Sequence, residues 1–285
     1  MDQRVIRLYD EFTHDHLDRR LFLDRLSKLV GSTAAALALL PRLESDYAIA
    51  QTVPETDARL RTEEAAYPGS RGPVKGYLAR PAGDVKAPGV VVLHENRGLQ
   101  PHIRDVARRA ALAGYVALAP DLMSAIGGTP ASEDEARTKF AQVERPVALA
   151  DALASIDYLR KRPDATGKVG VVGFCWGGGM VGEIVAAGAD VQAGVVFYGV
   201  APPIEKVPAI KAPLLLHYAG VDERVNATVP GFEAALKSAG KSYTLHMYEG
   251  AQHAFHNDTG GARYDAAAAR LAWSRTIEFF DRTLR

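Results

Sequence analysis

Beyond Pro81, short apolar runs alternate along the chain with longer stretches of helical periodicity. Runs such as Gly89-Val-Val-Val-Leu93 and Pro213-Leu-Leu-Leu216 are continuous rather than alternating, the pattern required of strands buried on both faces. The runs predict strands at Gly89–Leu93, Tyr115–Ala119, Lys168–Phe174, Ala193–Tyr198, Pro213–Tyr218 and Ser242–Tyr248. The gaps predict helices at Ile103–Ala113, about Ser132–Val143, Pro146–Lys161, Gly178–Ala187, Val229–Ala239 and Gly261–Thr283. Strand and helix in alternation predict the α/β class, a mostly parallel central sheet with helices on both faces.

Upstream the pattern changes. Residues 51–73 are polar and turn-rich, with Pro54 and the run Pro68-Gly-Ser-Arg-Gly-Pro73, and they predict two short exposed strands, Arg59–Ala65 and Val74–Ala79. Leu17, Leu21, Phe22, Leu26, Leu29, Val30 and Thr33 recur at helical spacing, predicting one amphipathic helix from about Asp15 through Leu40, stopped by Pro41. The expected division is an N-terminal helical arm over residues 1–50 and an α/β domain over residues 51–285. An apolar arm must bury itself, either on that domain or in a homodimer on a second subunit.

The same N-terminal residues also fit an export signal. Arg19-Arg20-Leu-Phe22-Leu23 resembles a twin-arginine core, Gly31–Leu40 is a short apolar region, and Ala48-Ile-Ala50 resembles a cleavage site. Asp18 and Asp24 stand where a hydroxyl and a lysine are expected, which favours a retained arm in a cytoplasmic protein, with periplasmic export as the alternative. The apolar run is too short for a membrane span, so no membrane partner is expected. The 34 basic residues match the 34 acidic ones, with no basic block, so no nucleic acid partner is expected. A single cysteine forms no internal disulfide and cannot build a structural zinc site, so no metal is expected.

That cysteine stands in Gly173-Phe-Cys175-Trp-Gly177, where a β-branched run meets a glycine-rich helix start. This is the spacing of a nucleophile elbow, a strand-to-helix turn so sharp that small residues must flank the nucleophile. The competing readings are inert packing of a buried thiol and a phosphate-cradling loop. The second fails for want of a following acidic residue in βαβ context or a Gly-Lys-Ser/Thr.

A thiol needs a base, and the base an orienting group. Loops at the carboxyl ends of parallel strands supply Asp222 and His253, in the nucleophile-acid-histidine order of the α/β-hydrolase fold. Glu223 or a capping role competes for Asp222, and His256 competes with His253. His217 and His246 lie inside strands and read as packing or surface residues, while His14, His16 and His102 carry no constellation. After the first core strand comes His94-Glu95-Asn96-Arg97-Gly98. Glu95 is expected to hold the resting thiol proton, or else to pair with Arg97 or a helix-end arginine; the amides of Asn96 and Trp176 are expected to form an oxyanion hole. Trp176, Tyr198, Phe255 and Met123 are expected to line a partly apolar pocket.

Together Gly-Phe-Cys175-Trp-Gly-Gly, His94-Glu95-x-Arg-Gly, Ala119-Pro120-Asp121-Leu122, the Asp222 turn and His253-x-Phe resemble the dienelactone hydrolase family over about Val74–Leu284. The arm resembles a subgroup carrying such a prefix. The resemblance implies an α/β-hydrolase fold without a large lid, no cofactor, and a Cys-Asp-His triad assisted at Glu95. It also implies hydrolysis of a small-molecule ester or lactone through an acyl-cysteine. Members acting on dienelactone are expected to hold its carboxylate with arginines just after the Pro-Asp-Leu and His-x-Phe motifs. Here those places read Met123-Ser124-Ala-Ile126 and His256-Asn257, which leaves Arg97, Arg224 or Arg263 to supply a cation. A broad carboxylesterase or thioesterase, or a catalytically silent ligand-binding relative, are the alternatives.

Overall fold

Strands that are apolar on both sides must be sandwiched between helices, and their alternate residues are sorted to opposite layers. The chain forms β1 (Leu60–Gly69), β2 (Gly72–Pro81), β3 (Ala87–Leu93), β4 (Val116–Pro120), β5 (Ala165–Phe174), β6 (Ala193–Phe197), β7 (Leu214–Ala219) and β8 (Tyr243–Tyr248). In the computed structural model, which describes residues 1–14, 17–46 and 52–285, these make one sheet ordered β1-β2-β4-β3-β5-β6-β7-β8. Strands β1, β2 and β4 pair antiparallel; β4, β3 and the rest pair parallel.

The first two strands are longer and more buried than expected. The chain reverses at Gly69–Gly72, and Val74, Tyr77, Leu78 and Ala79 are buried because β2 is flanked by β1 and β4 rather than lying at an edge. The alternation is clear in β3. Val90 and Val92 join the layer under α4 (Pro101–Leu112) and α10 (Ala266–Leu284). Val91 and Leu93 join the layer under α6 (Arg145–Arg160), α7 (Trp176–Ala186) and α9 (Val229–Ser238). α5 (Glu133–Phe140) and α8 (Glu223–Asn226) lie in loops at the carboxyl ends of the strands.

The N-terminal region corrects the single-helix expectation. It contains α1 (Gln3–His14), which lies upstream of the predicted helix, α2 (Arg19–Val30) and α3 (Thr33–Leu39), followed by a 3-10 turn through Pro41. The break between α2 and α3 has a local cause: Gly31 adopts φ +92° with its N–H on the Ser27 carbonyl, and Ser32 then caps α3 through the Ala35 N–H. The expected helix start at Asp15 and the cleavage-like Ala48-Ile-Ala50 lie outside the described residues. Val5, Leu8, Tyr9, Phe12, Phe22, Leu26, Ala36 and Leu43 form a third apolar cluster. The arm packs on the α/β domain: Arg137 lies over the Phe12 ring, Arg263 over Tyr9, and Asn96 Nδ2 donates to the Thr13 carbonyl at 2.7 Å. No helix among the described residues is long and apolar enough to cross a membrane.

Candidate active site

β5 delivers Cys175 to the top of the sheet at φ 54°, ψ −115°, a conformation L-residues rarely adopt. The turn is possible because two glycines let backbones meet: a Cβ at Gly173 would sit 2.1 Å from the Gly177 carbonyl oxygen, and one at Gly177 2.5 Å from that of His94. Tyr198 (φ 39°) and Ala254 (φ 65°) are the other non-glycine residues with positive φ among those described; Tyr198 directly follows β6, which pairs with β5, and Ala254 directly follows His253. Backbone strain is thus concentrated around one sulfur, as at sites where geometry serves chemistry.

Two later loops converge on it. Asp222 caps α8 through the Val225 N–H, and its Oδ2 accepts the Nδ1–H of His253 at 2.6 Å, both side chains being almost wholly buried. The other ring nitrogen of His253 has no hydrogen-bond partner in the protein. Cys175 Sγ and one ring nitrogen each of His253 and His14 lie within 4.8 Å of one another. His14, the last residue of α1, brings its Nε2 to 3.1 Å from Sγ and stacks edge-on against His253. Its Nδ1 meets the Asp10 carbonyl and Thr13 Oγ1, and lies 3.0 Å from Asp10 Oδ1. Among the described residues this trio is the one cluster with metal-ligand spacing.

The electrostatics follow from this packing. Burial pushes the thiol up, but the charges of His14 and His253, with the 3.1 Å contact from His14, outweigh it and bring Cys175 down to about 6. Burial works against charging both imidazoles, and the thiolate with Asp10 and Asp222 reverses that, holding His14 above its ordinary value and His253 well above it. Burial would likewise raise the carboxyls of Asp10 and Asp222; the neighbouring imidazolium charge is the main force holding them below the ordinary range.

The remaining expected site residues separate. Glu95 Oε2 accepts from Asn257 Nδ2 at 2.7 Å, its Oε1 is buried without a hydrogen bond, and the thiol contact expected of it is made by His14. Asn96, Arg97, Trp176 and Tyr198 line a cavity of about 630 Å³ that opens over Cys175, and Arg97 also approaches Glu133 at 3.5 Å. Met123 and Phe255 do not line it. Asp121 draws the loop inward by accepting from the Met123 and Thr129 amides, which buries Met123, while Phe255 is sealed against Tyr198 and Tyr248. His256 is also buried, stacked on Phe174, and its burial keeps it well below the ordinary histidine range.

Two residues read as lacking a constellation have one. His102 bonds Asp258 at 2.8 Å, and His14 touches the thiol; His16 lies outside the described residues. The signal for His14 was present: Asp10 and His14 are four apart on one helix face, next to the apolar stripe of Val5, Leu8, Tyr9 and Phe12. Arg137 and Arg224, with Phe12, Leu17 and Phe140, complete the larger cavity, and Arg263 lines a smaller one beneath it with Glu95 and His253.

Comparison with known proteins agrees with this geometry. The family model described as "Dienelactone hydrolase family" matches residues 74–284. A protein of Methylorubrum extorquens named "Putative carboxymethylenebutenolidase" is 33% identical over 270 residues, covering 87% of this chain and 89% of its own. The crystal structure titled "Putative Dienelactone Hydrolase" from Klebsiella pneumoniae superposes with a TM-score of 0.71 at 27% identity, covering 78% of this chain and 99% of that one. A dienelactone hydrolase from Anabaena variabilis gives 0.61 at 25% identity, covering 80% and 100%. An elbow cysteine, an eight-stranded α/β sheet and a family match over most of the length lead to one conclusion: the chain belongs to the dienelactone hydrolase family, hydrolases of ester and lactone bonds.

Proposed function

We propose that this hydrolase cleaves a carboxylic ester or lactone through an acyl-cysteine on Cys175, with His253 as the proton carrier and Asp222 holding its tautomer. The observation that carries this reading is the thiol at a positive-φ elbow with a carboxylate-bound imidazole within 4.8 Å. His253 takes the thiol proton and sulfur attacks the carbonyl. The amides of Asn96 and Trp176 hold the oxyanion, and His253 returns its proton to the leaving oxygen. In the second half water attacks the thioester, gives a proton to His253, and sulfur leaves as thiolate. Glu95, with one buried unpaired oxygen near this centre, orders the Asn257 loop and the attacking water.

The substrate we propose is small and carries an acidic group. The two places expected to bear arginine do not face the cavity: Ser124 Oγ accepts the Lys75 amide, and His256 is buried beneath the loop. Cations instead come from Arg97, Arg137 and Arg224, set among Phe12, Leu17, Phe140 and Trp176. Arg137 has a buried Nε with no hydrogen bond, leaving it free to receive an anion. We place the enzyme in the cytoplasm, because the arginine pair that resembles an export core begins α2, and Arg19 is tied to Asp134 at 2.7 Å. A panel of neutral esters and acidic lactones tests this: Cys175→Ala should reduce all turnover to background. Arg137→Gln should raise KM about 10-fold for the acidic lactone over the acetate ester. Full activity in Cys175→Ala refutes the mechanism, and equal KM changes refute the substrate class.

A further inference from the structure

The described site has one imidazole more than acyl transfer by a triad requires. His14 comes from α1, outside the sheet and its helices, yet of the two imidazoles it makes the 3.1 Å contact with Sγ. Each imidazole has a carboxylate on its Nδ1 side: Asp222 is hydrogen-bonded to His253 at 2.6 Å, and Asp10 Oδ1 lies 3.0 Å from the Nδ1 of His14, which also meets the Asp10 carbonyl and Thr13 Oγ1. It is held there by the Asn96–Thr13 bond and by Gln252 donating to Gln3 at 2.9 Å, so α1 is tied to both loops that flank the thiol.

Resting on the cysteine reading above, we propose that Asp10 and His14 form a second catalytic carboxylate–imidazole pair, in which charged His14 donates Nε2–H to Cys175 and holds it as thiolate. The proton balance separates the two histidines. His253 carries the thiol proton to the leaving oxygen and later takes one from water. His14 stays charged throughout, so its effect falls on two steps: attack by sulfur and expulsion of sulfur from the tetrahedral thioester adduct. The other groups facing the pair do not duplicate it. Asp222 is bound to His253 and Glu95 to Asn257; Arg224 lies 3.6 Å from Asp10; Arg263 and Arg97 lie toward Tyr9 and Glu133, and Tyr198 is neutral. Asp10 and His14 belong to the arm, so the nucleophile is complete only when the arm is docked.

The test measures the rate of Cys175 alkylation by iodoacetamide against pH on the full chain, with a chelator present, beside kcat/KM for p-nitrophenyl acetate. Wild type should show an inflection near 6. His14→Gln keeps a donor but not the charge, and should move the inflection up by at least about one unit and lower kcat/KM by roughly 10- to 100-fold. Asp10→Asn should move both in the same direction by less. Arg7→Ala, which removes only an exposed pair with Glu223, should change neither. Unfolding temperatures within a few degrees of wild type establish that the variants are folded; if His14→Gln is not, Asp10→Asn decides. An unchanged inflection in both variants overturns the proposal. So does faster alkylation with faster turnover in His14→Ala, the behaviour of a plug. If Cys175→Ala is inactive while His14→Gln matches wild type, only the role of His14 fails; full activity in Cys175→Ala removes the cysteine reading itself.

Discussion

Gly177→Ala asks whether the elbow geometry or ordinary helix energetics governs the site. Gly177 is the second residue of α7 and its φ is not in the left-handed region, so helix propensity alone predicts a gain of up to about 1 kcal/mol. The added Cβ, however, would lie 2.5 Å from the His94 carbonyl oxygen and 2.6 Å from that of Leu93. Reaching even 3.0 Å requires α7 and the end of β3 to part by about 0.5 Å, and β3 is pinned between β4 and β5. Overpacking costs typically 1–3 kcal/mol, and against backbone atoms that cannot give the upper part of that range, about 2–3 kcal/mol, applies, so after the helix gain the net expectation is a loss of about 1–2 kcal/mol. In a chain of this size that is a fall of roughly 2–8 °C in Tm. The same shift moves Cys175 and the Asn96 loop relative to each other, and a displacement of half an ångström in a reacting group should cost on the order of 10-fold in kcat. Thermal unfolding by circular dichroism and p-nitrophenyl acetate kinetics measure both. A variant that is as stable as wild type and as fast would refute the claim that backbone contact at the elbow positions the nucleophile.

Asp222→Asn should leave the loop packing nearly intact but favour the wrong His253 tautomer, lowering kcat by about 10²–10⁴-fold; retained kcat would show that the 2.6 Å bond does not serve turnover. Stability should depend on pH through three buried imidazoles, His94, His217 and His256, whose burial lowers their proton affinity in the fold. Each has a folded pKa below its unfolded value of about 6.5, so its contribution is present above that value and is lost as pH falls. With His217 and His256 held well below that value, urea titrations should show stability falling between pH 6 and 5, by up to about 1.4 kcal/mol per pH unit for each imidazole that stays neutral in the fold. His14 and His253, with raised values, act in the opposite sense as pH climbs above 6.5; a stability profile flat from pH 7 to 5 would contradict this assignment.

What was legible in the residues was whatever local sequence decides. β3 through β8 fall within a few residues of their expected bounds, and for β3 to β7 the reason is that strands buried on both faces leave continuous apolar runs that no helix of that length would need. The elbow was readable because its glycines answer to backbone contact two residues either side of Cys175, and the Asp222 and His253 loops because the parallel sheet brings strand ends together. The misses are tertiary. Whether Met123 faces the cavity depends on Asp121 pulling its loop inward, and Phe255 looks like a pocket wall until Tyr198 and Tyr248 close over it. The Asp10–His14 spacing marks one helix face, but what that face meets is decided by Cys175, 161 residues away along the chain. The break of the arm into separate helices was in principle readable from Asp18, Gly31 and Ser32, each a capping residue in its usual place.

The covalent step decides the account. Enzyme mixed with p-nitrophenyl acetate, acid-quenched within the first turnovers and digested, should yield the peptide spanning Gly173–Gly177 with one acetyl group on Cys175. That adduct should decay on the timescale of turnover and be missing from Cys175→Ala. Steady hydrolysis with the Cys175 peptide unmodified throughout, and undiminished in Cys175→Ala, would contradict it.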